Sequence, residues 1–372
     1  MSSFSVETLD SKGREGTLEI ESISIPTPNY IPTRNEFFNL QHSEYVERKN
    51  YSDVDIGVHV QWLDAEKIHE IKSGGDAFNK YKSYVQGRLK VLDVPLKMVH
   101  FDFDKTVTDL DATTLKLLLT LQAQIGTNII EIPNLGRKGW NYRMAVEKAA
   151  EWRSGKEIDA PLMGIACEPT DVYTLKSQLG QVDCIGVNLR RNNFPLLYAI
   201  EEELKPLDDV WVHGFGTPRS YRQVRGAGTL GVLVNSFGVD TVSSQVAHPG
   251  TSRRFAIQRE NMTEREVLES APGTKYFSAQ DYSTTRYESM IAEHGSGFSL
   301  SHLCSCPVCG RNTLKSIVSK ADTTYQNTIS HEVLSHLKEA KAFKRKIVNN
   351  ESSEYLASKA FAQALANRRN GD

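Results

Sequence analysis

Short apolar, β-branched runs recur through the middle of the chain: DIGVHVQW (55–62), LKMVHFDF (96–103), TNIIEI (127–132), PLMGIAC (161–167), VDCIGVNL (182–189), DVWVHGFG (209–216) and FGVDTVSS (237–244). Between them lie stretches with helical apolar spacing, among them DATTLKLLLTLQAQIG (111–126), NYRMAVEKAAEWRSG (141–155) and FPLLYAIEEELKPL (194–207). Strands that alternate with helices predict a parallel sheet, because a parallel return needs a crossover. Seven or eight such units over roughly 250 residues fit an α/β fold of the (β/α)8 TIM-like barrel type better than an open doubly wound sheet. No GxGxxG or GxxxxGK[ST] follows the first strand, which weighs against dinucleotide and P-loop folds. From about 256 to 300 the pattern is polar and poorly periodic, and after Cys304 it turns helical and ends in the amphipathic EYLASKAFAQALANRRNGD. The expected division is therefore a barrel over 1–300 and a helical subdomain over 301–372.

Composition adds little to this picture until charge is placed along the chain. With 372 residues, 39% hydrophobic and 24% charged, the chain can build a sizeable core. The opening MSSFSVETLDSKGREG has no apolar run of signal-peptide length, and no stretch approaches 18 apolar residues. A cytoplasmic protein that is neither secreted nor membrane-spanning is expected. The net charge of -2 means that any nucleic-acid partner must meet a local basic patch. NLRRNN (188–193), TSRRF (251–255) and AKAFKRK (340–346) are the candidate patches, set against the alternative of ordinary solvated surface.

The cysteines change the picture more. Cys304, Cys306, Cys309 and His331 form a C-x-C-x2-C-x21-H array, the soft thiolate and imidazole set that tetrahedral zinc prefers. Four protein ligands leave no position for substrate, so the expected Zn2+ is structural. His336 competes for the fourth position and His302 does so more weakly. Cys167 and Cys184 sit inside apolar runs and read as small core residues, and the absence of a disulfide framework suits a reducing compartment.

In a parallel barrel, reacting groups gather at the C-terminal ends of strands. Period-2 alternation puts His100, Asp102 and Asp104 on one face at the end of LKMVHFDFD, where a pair of carboxylates can serve as acid, base or nucleophile. The competing role for such residues is helix capping, expected of Asp109 or Asp111. In VWVHGFGTP, His213 and the glycines Gly214 and Gly216 are placed to admit a flat ligand close to backbone, with Thr217 and Pro218 opening the next helix. Asn134, Cys167, Glu168 and Asn188 end other strands, and FGVDTVSSQ carries Asp240 near its start and Ser243, Ser244 and Gln245 near its end. Together they describe a polar pocket of nucleobase size.

The Cys304/Cys306/Cys309/His331 array behind a barrel-like chain resembles the zinc motif of the tRNA-guanine transglycosylase superfamily, including phage and bacterial relatives that insert 7-deazaguanines into DNA. In order along the chain, GREGTLEIESISIPTPNYIPT, LKLLLTLQAQIGTNIIEI, LMGIACE, VHGFGTP and GVDTVSS resemble further family segments, covering residues 13 to 347. The resemblance implies a zinc-braced barrel that exchanges a base through a covalent glycosyl-enzyme, with guanine leaving and a preQ0-type 7-deazaguanine entering. It implies Asp102 as a catalytic aspartate, with Asn134 where the family reads the base edge by Asp and Cys167 where it has Gln. It also exposes a departure, since Ser243 stands where the family's attacking aspartate stands. Three alternatives stay open: Asp240 substitutes after a register shift, Asp102 or Asp104 attacks instead, or the chain binds nucleic acid without exchanging a base. The family's tRNA-reading segment after the nucleophile is replaced by AHPGTSRRF, which keeps Arg253 and Arg254 as nucleic-acid contacts. This favours DNA over tRNA as the partner, with a homodimer among the assemblies open to the chain.

Overall fold

The computed structural model describes residues 2–137, 141–190, 194–219, 228–247, 263, 275–318 and 321–369. It is a mixed α/β fold built on parallel strands. Three antiparallel strands, β1 (Ser2–Asp10), β2 (Gly13–Ile20) and β3 (Ile23–Thr27), come first and form a sheet of their own. Eight short strands follow: β4 (Asn29–Tyr30), β5 (Ile56–Leu63), β6 (Leu96–Phe103), β7 (Ile130–Ile132), β8 (Leu162–Ala166), β9 (Cys184–Asn188), β10 (Trp211–Thr217) and β11 (Thr241–Ser244). Six of them pair in parallel in the order β4-β11-β10-β9-β8-β7, and β5 pairs in parallel with β6. Single parallel bridges from Thr33 to Val58 and from Met98 to Ile129 join the β5–β6 pair to both edges of the six-stranded sheet.

Seven helices, α1 (Arg34–His42), α2 (Ala65–Lys72), α3 (Gly75–Leu89), α4 (Ala112–Ile125), α5 (Tyr142–Ser154), α6 (Pro169–Ser177) and α7 (Phe194–Glu203), connect these strands. Their starts follow local chemistry: Asp64 caps α2 through the Lys67 amide, and Asp111 caps α4 through the Thr114 amide. Asp111 thus takes the capping role expected of it, as Asp104 does for the turn after β6, accepting from the Thr106 amide at 2.9 Å.

The period-2 alternation of the strands divides the core in two. Ile56, Val58, Leu96, Met98, Ile129, Met163, Ile165, Trp211 and Phe215 face one way and pack with Phe4, Leu18 and Ile20 of the β1–β3 sheet. Residues of opposite parity, such as Val99, Ile130, Ile185 and Val212, pack under the helices. The β1–β3 sheet therefore lies over the N-terminal ends of the parallel strands, tied there by the Val6 amide on the Asp208 carbonyl.

After the parallel strands come a two-stranded ribbon, β12 (Lys275–Phe277) with β13 (Thr284–Arg286), and then helices. The longest, Ala321–Val348, packs back on α1, β1, β2 and β4, with Phe343 and Ile347 against Gly13 and Lys344 paired to Glu15 at 2.9 Å. The single amphipathic helix expected at the end is two, Ser352–Ala357 and Ala360–Arg369. Among the described residues no helix is long and apolar enough to cross a membrane.

Candidate metal centre and strand-end cleft

Cys304, Cys306 and Cys309 lie on a loop that enters a single helical turn, with Pro307 at its first position, and His331 projects from the long helix to meet them. The four donor atoms all lie within 4.8 Å of one another. Zn–S bonds of about 2.3 Å in a tetrahedron separate sulfurs by roughly 3.8 Å, so the cluster has the dimensions of a zinc site. His331 turns Nδ1 toward the Cys306 and Cys309 sulfurs, at 3.4 and 3.3 Å. Its Nε2 sits 2.8 Å from the Phe277 carbonyl, which fixes the proton on Nε2 and frees the Nδ1 lone pair for a metal. Tyr276 stacks on the same ring with centroids 4.5 Å apart. The set fits a metal ion such as zinc.

Neither competing histidine reaches this cluster. His336 lies between the rings of Tyr30 and Phe277, with its Nε2 3.7 Å from Glu332, and His302 sits on a surface turn beside Phe298. One helical turn separates His331 from Ser335, whose hydroxyl is 3.3 Å from the His331 Nδ1, so the helix face rather than the sequence spacing selects the ligand.

At the other working region, a cleft of about 430 Å³ opens at the C-terminal ends of the parallel strands. Asp102, Asp104, Asn134, Cys167, Glu168 and Asn188 line it, as strand-end logic requires. Two of its walls escaped the sequence reading. Arg190 donates to Asp102 Oδ2 at 2.7 Å and lies over the Trp62 ring at 3.9 Å, a cation held by a carboxylate on one side and a π face on the other. The signals were present: Arg190 belongs to the basic NLRRNN patch, and Trp62 is the last residue on its face of β5.

Other expected contacts are already engaged. The Asn134 amide nitrogen donates to the Ile165 carbonyl and to Asp171 Oδ2, and its Oδ1 accepts from the Gly136 amide, so the side chain ties a loop down. Asp171 also accepts from the Cys167 and Glu168 amides. Burial raises the Cys167 thiol well above its ordinary range, which keeps it protonated and a poor nucleophile. Gly136, at φ +58, leaves no room for a side chain because a Cβ there would meet the Cys167 Cβ at 2.7 Å.

Six candidates, Asp240, Ser243, His213, Gly214, Gly216 and Thr217, do not line the cleft. Asp240 stands at the opposite end of the strands, one residue before β11 begins, and is fully buried. Arg14 from β2 grips it through Nε to Oδ1 at 2.7 Å and Nη2 to Oδ2 at 2.6 Å, while Oδ2 also accepts the Val212 amide. With both oxygens occupied away from the cleft, it has no route to a substrate there. Ser243 and His213 are wholly buried in the interior beneath the cleft, the His213 Nε2 3.3 Å from the Ser243 hydroxyl and its Nδ1 2.8 Å from Thr241. Burial holds His213 well below the usual histidine pKa, so it stays neutral. Gly214 lacks a Cβ because Leu189 fills that space at 2.7 Å, a packing reason rather than a ligand one. Gly216 adopts φ +72 beside Arg190, a turn that favours glycine. Thr217 ends β10 and donates to the Ser243 carbonyl; it opens no helix among the described residues. Arg253 and Arg254 lie outside the described residues.

His100 shares the parity of Asp102 but sits one layer deeper, with Nδ1 2.7 Å from Glu131 and its ring stacked on Phe215. Burial pushes His100 down, yet Glu131 more than offsets this and its pKa is raised; burial likewise raises Glu131, with His100 opposing.

The chain is thus an α/β protein with a strand-end cleft and a separate Cys3His cluster that could hold a metal ion. No family model matches the chain, and no curated protein matches it.

Proposed function

We propose that the protein is a base-exchange transglycosylase that replaces guanine in DNA with a 7-deazaguanine of the preQ0 type, on a (β/α)8 barrel braced by structural zinc. Support for the barrel comes from the eight parallel strands in chain order and from the two bridges, Thr33 to Val58 and Met98 to Ile129, at the edges where it would close. The observation that carries the activity is Asp102, a carboxylate at the C-terminal end of its strand, in the cleft, held by Arg190 through one oxygen. The second oxygen has no hydrogen-bond partner among the described residues.

In this reading Asp102 Oδ1 attacks C1′ of the target nucleotide as the C1′–N9 bond breaks, and the bond's electron pair leaves with guanine, which takes a proton from water in the open cleft. The oxocarbenium-like state at C1′ is one a carboxylate both stabilises and traps. The incoming base then gives up its N9 proton and attacks C1′, the C1′–O bond breaks, and the Asp102 carboxylate is restored. Proton uptake and release cancel over the cycle. Arg190 positions the carboxylate, and Asp104 and Glu168 are the other cleft carboxylates able to move the proton. Zinc, held by Cys304, Cys306, Cys309 and His331, supplies folding energy and takes no part in the exchange.

Purified protein incubated with labelled preQ0 or guanine and either duplex DNA or bulk tRNA tests the reading. Label is expected in DNA and lost by at least about a thousandfold in Asp102→Asn. Label in tRNA alone would reassign the substrate. Ser243 favours a second reading, a nucleic-acid-binding protein without exchange, because the residue matching the family's nucleophile is neither acidic nor in the cleft. Binding without incorporation into either nucleic acid would select it.

A further inference from the structure

Beside the cleft lies a larger groove of about 610 Å³, between α1, α2, α3 and the end of β5, which neither the zinc centre nor the exchange chemistry uses. Trp62 lines both depressions, and the chain after β11 runs along them in turn: Gln245 borders the cleft, Val246 and Ala247 the groove. The two therefore adjoin at the C-terminal ends of the strands.

The groove's chemistry is of one kind. Arg34, Lys67, Lys80 and Arg88 bring four cations to it against a single lining carboxylate, Glu70, which Lys67 already engages. Arg34 donates to the Arg88 carbonyl at 3.1 Å, so two guanidinium-bearing residues are held together. Burial lowers the Arg34 pKa and the Arg88 charge lowers it further, the mark of a cationic pair that lacks an anion. Aromatic rings alternate with these charges. Tyr84 is 49% exposed, stacks on Tyr81 with centroids 6.3 Å apart, and carries the Arg88 guanidinium at 5.0 Å. Tyr81 also lines the groove, its hydroxyl buried and without a hydrogen-bond partner among the described residues.

Fixed cations that track a backbone and open π faces on which bases stack are the two elements of single-strand recognition. We infer that the groove formed by α1, α2, α3 and β5 seats a single-stranded polynucleotide segment flanking the target nucleotide, with its phosphates on Arg34, Lys80 and Arg88 and a base on Tyr84. A nucleotide leaving that segment past Trp62 enters the cleft at Asp102. The inference deepens the base-exchange reading and rests on it for what the strand is delivered to; strand binding by the groove stands apart.

The experiment is fluorescence anisotropy with the full-length zinc-loaded protein and labelled single-stranded oligodeoxynucleotide and oligoribonucleotide, over a range of salt. The paired charge reversal Lys80→Glu/Arg88→Glu should weaken binding at least tenfold and flatten the salt dependence by about 0.7 log units of affinity per log unit of salt for each phosphate no longer neutralised. Tyr84→Ala should weaken it roughly fivefold or more, with the slope of wild type, since stacking carries no counterion release. Lys80 and Tyr84 are exposed, so Lys80→Glu and Tyr84→Ala, checked by circular dichroism, remain informative if the double variant fails to fold. Folded variants that bind with wild-type affinity and slope would overturn the inference, as would polyglutamate competing as well as the oligonucleotides. Groove-dependent binding without exchange would remove the base-exchange reading and leave the groove; exchange indifferent to groove variants would do the reverse.

Discussion

The two ends of the parallel strands each hold an arginine–aspartate pair, and the pairs do opposite things. At the N-terminal end, Arg14 and Asp240 are 1% and 0% exposed, and Arg14 also donates to the carbonyls of Leu204, Leu207 and Val210. Every polar atom there is committed, so the pair can only hold the fold together. At the C-terminal end, Arg190 and Asp102 are 27% and 13% exposed, share one hydrogen bond, and face a cleft. The same two side chains make a seal where all their bonding capacity is spent and a candidate reaction centre where some is left over. Burial raises Asp240 even with Arg14 beside it, which shows how far desolvation weighs at the sealed end.

The change most damaging to this contrast strikes from a distance. If the Cys3His cluster holds the proposed structural zinc, Cys309→Ser or a strong chelator should cost several kcal/mol of folding free energy, a modest part of the roughly 10–16 kcal/mol by which zinc-finger peptides bind zinc. Because the long helix bearing His331 lies on β1 and β2, hydrogen exchange should rise there more than in β8 and β9. Equal loss everywhere would mean that the metal braces both ends alike.

Next in size, Arg14→Met strands a buried carboxylate and should cost about 3–5 kcal/mol in urea unfolding. Arg14→Met/Asp240→Leu should recover most of that loss, as apolar replacement of a whole buried pair often does. If the double variant is no better than the single, the pair's other bonds matter more than its charge.

Acid should then separate the ends. His59, on β5 at the groove, is pulled down to about 4 by burial, helped by the charges of Arg34 and Arg88, although its bond to Gln61 opposes this. The unfolded chain binds that proton from near pH 6.5 while the fold refuses it, so the stability is present above 6.5 and lost as pH falls toward 4. The loss is about 3 kcal/mol at 1.36 kcal/mol per pH unit. His59→Gln should flatten this limb of the stability–pH curve, and an unchanged limb would assign the acid sensitivity elsewhere. Smallest of all, Arg190→Met should change stability by less than about 1 kcal/mol, since a part-exposed pair contributes little, while impairing the exchange proposed above. A large stability loss in that variant would place Arg190 with the sealing pair.

Much of this was legible in the sequence, and the failures have physical causes. Seven strands were visible because their apolar parity is regular, whereas β4, two residues long, is too short to carry a period. The Cys3His cluster was legible because short cysteine spacing is itself geometry. Asp240 was read near the start of its strand and lies there, one residue before β11; what its spacing could not show is that Arg14, 226 positions away in the chain, occupies both its oxygens at the end opposite the cleft. Ser243 matched a family position yet faces the interior, since β11 buries all four of its residues. The groove was beyond reach: Arg34, Lys67, Lys80 and Arg88 are scattered over three helices, and only the packing of α1, α2 and α3 assembles them.

Arg219 has a consequence of a different order. It joins the carboxylates of Glu36 on α1, at 2.8 Å, and Glu332 on the long helix, at 3.6 Å, and donates to the Ser244 hydroxyl at the end of β11. Glu332 follows His331 of the Cys3His cluster directly, so the last parallel strand, the first helix and the long helix of that cluster meet at one guanidinium. During synthesis that junction cannot form until residue 332 has left the ribosome, by which time all eight parallel strands have emerged. The chain is thus built to finish late: its first helix waits for one of its last to arrive.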